Sequence, residues 1–168
     1  PHRDYDKLRR LLDRCTQFDR RLIVTDSLFS MDGDFADLPA LVEIKNHYEA
    51  ALCIDEAHAT GVFGEGGRGV AALQGVEMKI DIVVGTLSKA LGGIGGFVCG
   101  SGDFIEYLVN TGRAFIYTTA PPPPVCAAAE AALDIIESEP QRREKLLSMA
   151  AVLRQAWQQK GYDIGGSQ

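Results

Sequence analysis

The sequence predicts an α/β fold in which a mostly parallel sheet carries helices on both faces, and two observations support this prediction. First, short apolar segments alternate along the chain with segments whose apolar residues recur at helical spacing. Second, the apolar segments at residues 22–25, 51–54 and 82–85 are uninterrupted runs, which are typical of parallel strands buried on both faces. With 168 residues, the chain is long enough for one domain or a large part of one.

The first half of the chain is predicted to contain two helices and two strands. A short helix is expected at residues 4–15, where leucines share one face, and a second helix at residues 38–50. The first strand follows the first helix, and the second strand follows the second helix. Gly33, which lies between two aspartates, indicates a turn after the first strand.

The middle of the chain begins with a glycine-rich segment, which is predicted to be irregular apart from a short helix near Val70 to Leu73. The third strand is predicted within residues 81–89, and a fourth strand at residues 95–101 is reached through another run of glycines. The apolar spacing then predicts a single helix over residues 102–115.

The last third of the chain is predicted to be mostly helical, with a run of prolines that separates two helices. Four consecutive prolines at residues 121–124 break the chain, and the last of them, Pro124, is placed to begin the next helix. A long amphipathic helix is predicted to begin at Pro140 and to end at Gly161.

Composition narrows the possible partners. The formal net charge is -6, which argues against nucleic acid or an anionic membrane as the main partner. Apolar runs are far shorter than the roughly 20 residues of a membrane span, and the charged first ten residues are unlike a signal peptide. The four cysteines form no CxxC pair and are expected to be small buried thiols, so we expect a cytoplasmic protein.

Chemically capable side chains follow the predicted strands directly. Ser30 comes shortly after the first strand, Asp55 and His58 follow the second, and Thr86 and Lys89 follow the third. Ligands of open α/β sheets bind beyond the carboxyl ends of the strands. The sequence therefore predicts that these residues converge at one edge of the sheet.

Asp55 and His58 are open to three other interpretations. A solvated turn is the simplest. A metal site would need a third or fourth ligand, and the other two histidines lie in helical or terminal context, so no metal is expected. The letters DEAH also name a class of helicase, but a nucleotide-driven motor needs a phosphate-binding loop that the sequence lacks.

Lys89 is the residue best suited to covalent chemistry. Partial desolvation frees a lysine amine to attack a carbonyl, and the surrounding glycines are predicted to supply a buried seat that a flat ring can approach. A lysine, a carboxylate and a histidine around an aromatic aldehyde suit pyridoxal 5'-phosphate, in which the carboxylate keeps the ring nitrogen protonated. Thr86, three residues before Lys89, is placed to hold the phosphate.

These motifs carry a resemblance to a known family. The segments TLSKALGGIGGFV and IDEAHATGVFGEGGRG, at residues 86–98 and 54–69, resemble the α-oxoamine synthases, which belong to the fold type I group of pyridoxal-phosphate enzymes. The resemblance runs through nearly the whole chain. It implies that residues 1–160 are the C-terminal portion of the cofactor-binding large domain and that 161–168 begin the link to a small domain absent here.

The resemblance also implies a role for each matched residue. Lys89 would form the Schiff base with the cofactor and later move the substrate Cα proton, and Asp55 would pair with the pyridine nitrogen. His58 and Ser30 would approach the phenolic oxygen of the ring, and Thr86 would bind the phosphate. The active site of the family lies at a homodimer interface. Thr118 and Thr119 would reach across this interface toward the phosphate of the partner's cofactor.

The resemblance implies substrates as well. Residues after His58, together with FSMDGD at residues 29–34, are most similar to the member of the family that condenses L-alanine with an acyl-CoA thioester, pimeloyl-CoA being favoured over a carrier-protein thioester. A member that joins glycine to acetyl-CoA is the alternative, and a catalytically silent module that mediates dimer contacts is another. The isolated 168-residue chain is expected to have little or no turnover.

Overall fold

A computed structural model describes residues 2–168 and places four strands in one sheet with the order β1-β2-β3-β4. The first three strands are parallel to one another, and the fourth is antiparallel to the third. The strands span Leu22–Asp26 (β1), Ala51–Asp55 (β2), Ile82–Thr86 (β3) and Gly96–Gly100 (β4). The predicted fold class, α/β with a mostly parallel sheet, is confirmed.

Seven helices lie before, between and after these strands in the described residues. They are α1 (Tyr5–Asp13), α2 (Leu38–His47), α3 (Val70–Leu73), α4 (Gly102–Thr111), α5 (Arg113–Ile116), α6 (Pro123–Ser138) and α7 (Gln141–Gln159). Short 3-10 turns at Glu65–Gly67 and Glu77–Lys79 flank α3. No helix within residues 2–168 is both long and apolar enough to cross a membrane.

One face of the sheet packs against α2 and α3 and forms the core. Ile23 and Leu52 are register partners on β1 and β2, and both are buried, because paired residues of parallel strands point to the same face. Leu38 and Ile44 on α2 and Val70 at the start of α3 are fully buried in the same cluster. Asp37 begins α2 by accepting a 3.1 Å hydrogen bond from the backbone N–H of Ala40.

The opposite face of the sheet is partly open. Leu22 and Val24 on β1 are 56% and 67% exposed, and Val98 on β4 is 42% exposed. The expectation that all three apolar strands are buried on both faces therefore holds for β2, where Leu52, Cys53 and Ile54 are buried, and is wrong for β1. An apolar run shows that a strand can be buried on both faces. Whether it is buried depends on the elements that pack against each face.

Two helices in the second half of the chain differ from their predicted bounds for local reasons. The helix expected over residues 102–115 is interrupted at Gly112, whose ψ of 96° is not helical. Helix α6 begins one residue earlier than predicted, at Pro123, so that two prolines occupy its first turn. The end of α7 is as expected, because Gly161 adopts a φ of 81° just after the last turn.

Helix α7 buries none of its residues in the described chain. Met149 and Val152 are 62% and 64% exposed, although the sequence predicts an apolar face here.

The cysteines differ from the prediction as well. Cys53 is buried, and this burial, reinforced by the charge of Asp55, raises the pKa of its thiol, whereas Cys99 is exposed.

Candidate active site

The carboxyl ends of the parallel strands bring Asp55 beside the other two strands. Asp55 is the register partner of Asp26 on β1 and of Val84 on β3, so the three side chains lie on the same face of the sheet. Oδ1 of Asp55 accepts a 2.7 Å hydrogen bond from the backbone N–H of Ala57. Within residues 2–168 the other carboxylate oxygen accepts no hydrogen bond, which leaves an acceptor available to a ligand.

Residues 56–69, here named the β2 loop, connect β2 to α3 and carry His58. The carbonyl oxygen of Glu56 accepts hydrogen bonds from the backbone N–H of Ala59 at 2.9 Å and of Thr60 at 2.8 Å. His58 lies in this tight turn and is exposed. The loop is closed further along by a 2.7 Å hydrogen bond from the N–H of Gly61 to the carbonyl of Gly67.

Glu56 is the buried charge of this region and was not assigned a role from the sequence. Its side chain is 1% exposed. Oε2 accepts hydrogen bonds from the Ser27 hydroxyl at 2.7 Å and from the N–H of Val70 at 3.0 Å, and Oε1 accepts one from the N–H of Ala71 at 2.9 Å. Three donors satisfy the carboxylate, which is what allows it to remain buried.

Residues 87–95, here named the β3 loop, carry Lys89 and are built differently. The loop closes through hydrogen bonds from the N–H of Gly93 to the carbonyl of Leu87 at 2.6 Å and from the N–H of Gly92 to the carbonyl of Lys89 at 3.0 Å. Gly92 and Gly95 have φ values of 64° and 108°, which strongly favour glycine. Lys89 itself is exposed, so the buried seat predicted from the sequence is wrong for the described chain.

Lys89 and His58 line the same cavity, which has a volume of about 670 Å³. One wall of this cavity is apolar and comes mainly from α6, with Ile135 and Ile136 among its residues. Arg142 at the start of α7 lies on its rim and forms a 2.7 Å ion pair with Glu139. The structure therefore brings the predicted nucleophile and the predicted histidine to one space beyond the strand ends.

Thr86 ends β3 at the base of the β3 loop. Its hydroxyl lies 2.8 Å from that of Ser88 and 3.1 Å from the carbonyl of Gly95, and the N–H of Ser88 donates to it at 3.2 Å. Ser88 is exposed. The pair supplies two hydroxyls and a backbone donor at one point, a set that suits a phosphate, although the sequence analysis singled out Thr86 alone.

The structure places the remaining predicted site residues elsewhere. Ser30 is exposed and lines a second cavity of about 570 Å³, together with Trp157 and Tyr162 from the end of the chain. Thr118 and Thr119 are exposed in the segment after α5 and line neither cavity. Lys89 and His58 are thus brought together, whereas Asp55 and Thr86, at the ends of β2 and β3, line neither cavity. Ser30 and the two threonines lie apart from Lys89 and His58 in this single chain.

The turn that carries Ser30 is held by a cluster around Asp34. Asp34 accepts hydrogen bonds from His2 Nε2 at 2.9 Å and from Arg3 Nη1 at 2.9 Å. Burial acts to raise the pKa of Asp34, but the hydrogen bonds from His2 and Arg3 outweigh it, so the pKa lies below its ordinary value. His2, Asp32 and Asp34 lie close enough to share an ion, but Arg3 already neutralises Asp34.

The residues near the strand ends fit the cofactor that the sequence predicts. The carboxylate of Asp55 retains a free acceptor for a ring N–H, and Thr86 with Ser88 offers phosphate donors. Lys89 supplies an amine whose Nζ makes no hydrogen bond or ion pair within the described residues. The donor set is therefore complementary to a flat, anionic pyridine aldehyde.

A mostly parallel α/β sheet with these residues near its strand ends is the architecture of the pyridoxal-phosphate-dependent transferases of fold type I. The chain belongs to the aminotransferase class I and II family, whose model matches residues 1–168. Pyridoxal phosphate is the cofactor of this family, and the resemblance to α-oxoamine synthases is confirmed.

Two curated relatives within the family carry the same name. The chain is 49% identical over 170 residues to the 8-amino-7-oxononanoate synthase of Geobacter sulfurreducens, covering all of this chain and 44% of the relative. The corresponding protein of Geobacter metallireducens is 47% identical, with the same coverage. The chain thus spans less than half the length of these relatives.

Solved structures show the same architecture. A serine palmitoyltransferase from S. paucimobilis with a bound PLP–myriocin aldimine superposes with a TM-score of 0.92 and 34% identity, covering 96% of this chain and 42% of that one. An 8-amino-7-oxononanoate synthase from Francisella tularensis gives a TM-score of 0.80 and 30% identity, covering 96% and 46%.

Proposed function

We propose that the chain is part of a pyridoxal-phosphate-dependent acyltransferase that condenses L-alanine with pimeloyl-CoA. The products are 8-amino-7-oxononanoate, CoA and CO2. The observation that carries the proposal is the cavity shared by Lys89 and His58, which follow the ends of β3 and β2. The choice of substrates is supported by curated relatives of that name at 49% and 47% identity.

Three residues of the sheet edge would hold the cofactor. The unpaired oxygen of Asp55 would accept the pyridine N–H, Lys89 would bond to the aldehyde, and Thr86 would hold the phosphate, with Ser88 as a second hydroxyl. When bound, the protonated ring supplies an electron sink that stabilises negative charge at the substrate Cα. Asp55 would keep the ring nitrogen protonated, because a nearby negative charge favours the protonated form.

Proton movement at the substrate Cα would fall to Lys89. An unassisted Cα–H is far too weakly acidic for a side-chain base near neutral pH, so the base must act next to the electron sink. The amine of Lys89 lies in the β3 loop, where no described residue binds it, so it would be available as the base at the substrate Cα. His58, which lines the same cavity, would donate a hydrogen bond to the carbonyl of the incoming thioester.

The remaining predicted residues would act in a larger assembly. We propose that residues 1–160 are the second half of a large domain, that residues 161–168 lead into a small domain, and that the active protein is a homodimer. Thr118 and Thr119 are exposed and lie in neither cavity, so they are available to reach the phosphate in a partner subunit. Ser30 would join the site on the same assembled surface.

Cofactor binding can be tested by colour. Full-length protein mixed with pyridoxal phosphate should show a visible absorption band, and Lys89→Ala should abolish it. Lys79→Ala, which changes another exposed lysine, is the matched control and should keep the band. A wild-type protein that stays colourless with added cofactor would instead favour the silent dimer-contact module.

Substrate choice needs a separate assay. The full-length protein should turn over L-alanine with pimeloyl-CoA faster than glycine with acetyl-CoA or serine with palmitoyl-CoA. A higher rate with the glycine pair would identify a glycine C-acetyltransferase. The serine pair tests the activity named for the structural neighbour.

A further inference from the structure

Glu56 is a buried acid placed between two residues of the proposed site. It directly follows Asp55 and lies two residues before His58, yet it is 1% exposed and does not line the cavity that holds Lys89 and His58. A carboxylate that is fully buried must be matched by donors, since an unpaired buried charge is strongly unfavourable. The identity of those donors shows what the residue does.

The side chain of Glu56 joins two distant parts of the chain to the end of β2. The hydroxyl of Ser27, just after β1, donates to it at 2.7 Å. From the other side the N–H groups of Val70 and Ala71, at the start of α3 directly after the β2 loop, donate at 3.0 Å and 2.9 Å. One carboxylate therefore fixes both the neighbouring strand end and the far end of the loop that carries His58.

The backbone of Glu56 completes the same connection. Its N–H donates to the carbonyl of Val84 on β3 at 2.8 Å. Its carbonyl accepts the N–H groups of Ala59 and Thr60, and also the Thr60 hydroxyl at 3.0 Å. Residue 56 is thus bonded to the segment after β1, to the middle of β3, to the start of the β2 loop and to the start of α3.

Gly69 shows that the loop is shaped around this carboxylate. A Cβ atom at position 69 would lie 2.6 Å from Cδ and from Oε2 of Glu56, closer than real Cβ contacts occur. Gly69 also has a φ of 102°, which side-chain-bearing residues rarely adopt. The GRG sequence that ends the β2 loop therefore leaves the space that the buried acid needs.

We propose that Glu56 is a positioning residue, which holds Asp55 and His58 in place relative to the end of β1 and the start of α3 through its three side-chain hydrogen bonds. The expected effect on catalysis rests on the proposed function, whereas the positioning of Asp55 and His58 is a property of the folded chain alone. Glu56 takes no part in proton transfer, because it is buried away from the cavity. Its effect on the reaction passes through the direction of the Asp55 carboxylate and the place of His58.

Glu56→Gln is the sharpest variant because it has nearly the same shape. Val70 and Ala71 present N–H donors to different oxygens of Glu56, and the NH2 group of glutamine must therefore face one of them. A donor would then oppose a donor in a buried site. Glu65→Gln is the matched control: it makes the same chemical change in the same loop, where the side chain is 88% exposed.

The test uses the full-length protein at saturating pyridoxal phosphate, with rates expressed per folded enzyme. We expect kcat of Glu56→Gln to fall roughly 10- to 100-fold with a shifted absorption maximum of the bound cofactor, because a displacement near 1 Å has effects of this size. Hydrogen exchange at the amides of Ala59, Thr60, Val70 and Ala71 should accelerate at the same time. Glu65→Gln should match wild type in all three measurements.

A purely structural role gives a different result. Glu56→Gln would then lower only the unfolding midpoint, with kcat per folded enzyme, spectrum and exchange equal to those of Glu65→Gln, and the proposal would be overturned. If Glu56→Gln does not fold, Ser27→Ala removes one of the three donors and should shift kcat and exchange in the same direction by about 2- to 5-fold. No shift in Ser27→Ala would likewise overturn it.

Failure of the proposed function can be told apart from failure of this inference. If wild type and Glu65→Gln bind no cofactor, the proposed function and the catalytic consequence of Glu56 are both rejected. Hydrogen exchange of the same samples still tests whether Glu56 holds the surrounding segments in place. Unchanged exchange in Glu56→Gln would reject the positioning role, and faster exchange confined to the four amides would support it.

Discussion

The β2 loop and the β3 loop leave neighbouring strands of one sheet, yet they are stabilised in opposite ways. The β2 loop is organised around the buried carboxylate of Glu56 and packs Phe63 edge-on against Phe35 with ring centroids 5.0 Å apart. The β3 loop is mostly exposed, with Ile94 at 66% exposure and Leu91 as its buried residue. The loop that follows Asp55 and presents His58 is preorganised, whereas the loop that presents Lys89 is open.

This difference matches what the two loops would have to do. A group that pairs with the ring nitrogen acts through a fixed direction, which a rigid support provides. An amine that bonds to the aldehyde, leaves it and then moves a proton needs freedom of position. The comparison predicts that changes in the β2 loop disturb stability and geometry together, and that changes in the β3 loop alter cofactor binding with little effect on stability.

The largest effect is expected from Asp55→Asn in the full-length protein. The amide oxygen can still accept the Ala57 N–H, so folding should be preserved, but the negative charge facing the ring is lost. We expect kcat to fall roughly 100-fold or more, measured with alanine and pimeloyl-CoA. Asp26→Asn, the register partner of Asp55 on β1, is the control. An equal loss in both variants would show that the strand edge responds to charge in general.

A matched pair of glycine substitutions compares the two loops directly. Gly69→Ala combines an unfavourable φ of 102° with a clash against the Glu56 carboxylate, and should lower the free energy of unfolding by roughly 3 kcal/mol. Gly92→Ala has a φ of 64° but open space around its Cβ, and should cost about 1 kcal/mol. Urea denaturation measures both, and equal losses would contradict the contrast between the loops.

Thr86→Val tests the phosphate role of the β3 loop. Loss of the hydroxyl should weaken pyridoxal phosphate binding about tenfold, because one hydrogen bond to an anion contributes roughly 1.4 kcal/mol. Ser88→Ala should weaken it less, by about threefold, since Thr86 and the loop backbone remain. Thr111→Val, on the exposed surface of α4, is the control for the same change and should bind as wild type does. Titration of the visible band measures each affinity.

The smallest effect concerns Asp34, outside both loops. Its pKa is lowered in the folded protein because the hydrogen bonds from His2 and Arg3 outweigh burial, so its ionised form stabilises the fold. That contribution is present above the unfolded pKa of about 3.9 and is lost as the pH falls through the lower folded value. Asp34→Asn should therefore reduce stability by on the order of 1 kcal/mol at pH 7 and progressively less below pH 4. A difference from wild type that persists undiminished at pH 2 would contradict this linkage.

The regular elements could be predicted from the sequence because they follow local patterns. Helix α3 spans the predicted Val70 to Leu73, and all four strands lie within the predicted segments, since apolar runs and periodicity record them directly. The break at Gly112 was missed because a single glycine inside an apolar helical pattern is often tolerated. Exposure of Val24 was missed because burial requires a second surface, which no local pattern specifies.

The candidate site could be predicted in part. Asp55, His58, Thr86 and Lys89 were identified because each follows a strand, and topology brings strand ends together. The resemblance then supplied roles for Ser30, Thr118 and Thr119, which remain predictions. Glu56 was hidden inside the motif DEAH: its chemistry depends on Ser27 and on Val70, which lie 29 residues before it and 14 residues after it.

By itself the sequence determined that this chain forms a parallel α/β sheet and that a lysine, an aspartate and a histidine stand where its strands end, because these properties follow from local spacing and from chain order. Only the tertiary structure decided that Lys89 shares a cavity with His58, that it is exposed, and that Glu56 is buried among three donors. The physical reason is that burial and hydrogen bonding are relations between segments distant in sequence, and these become definite only when the segments meet.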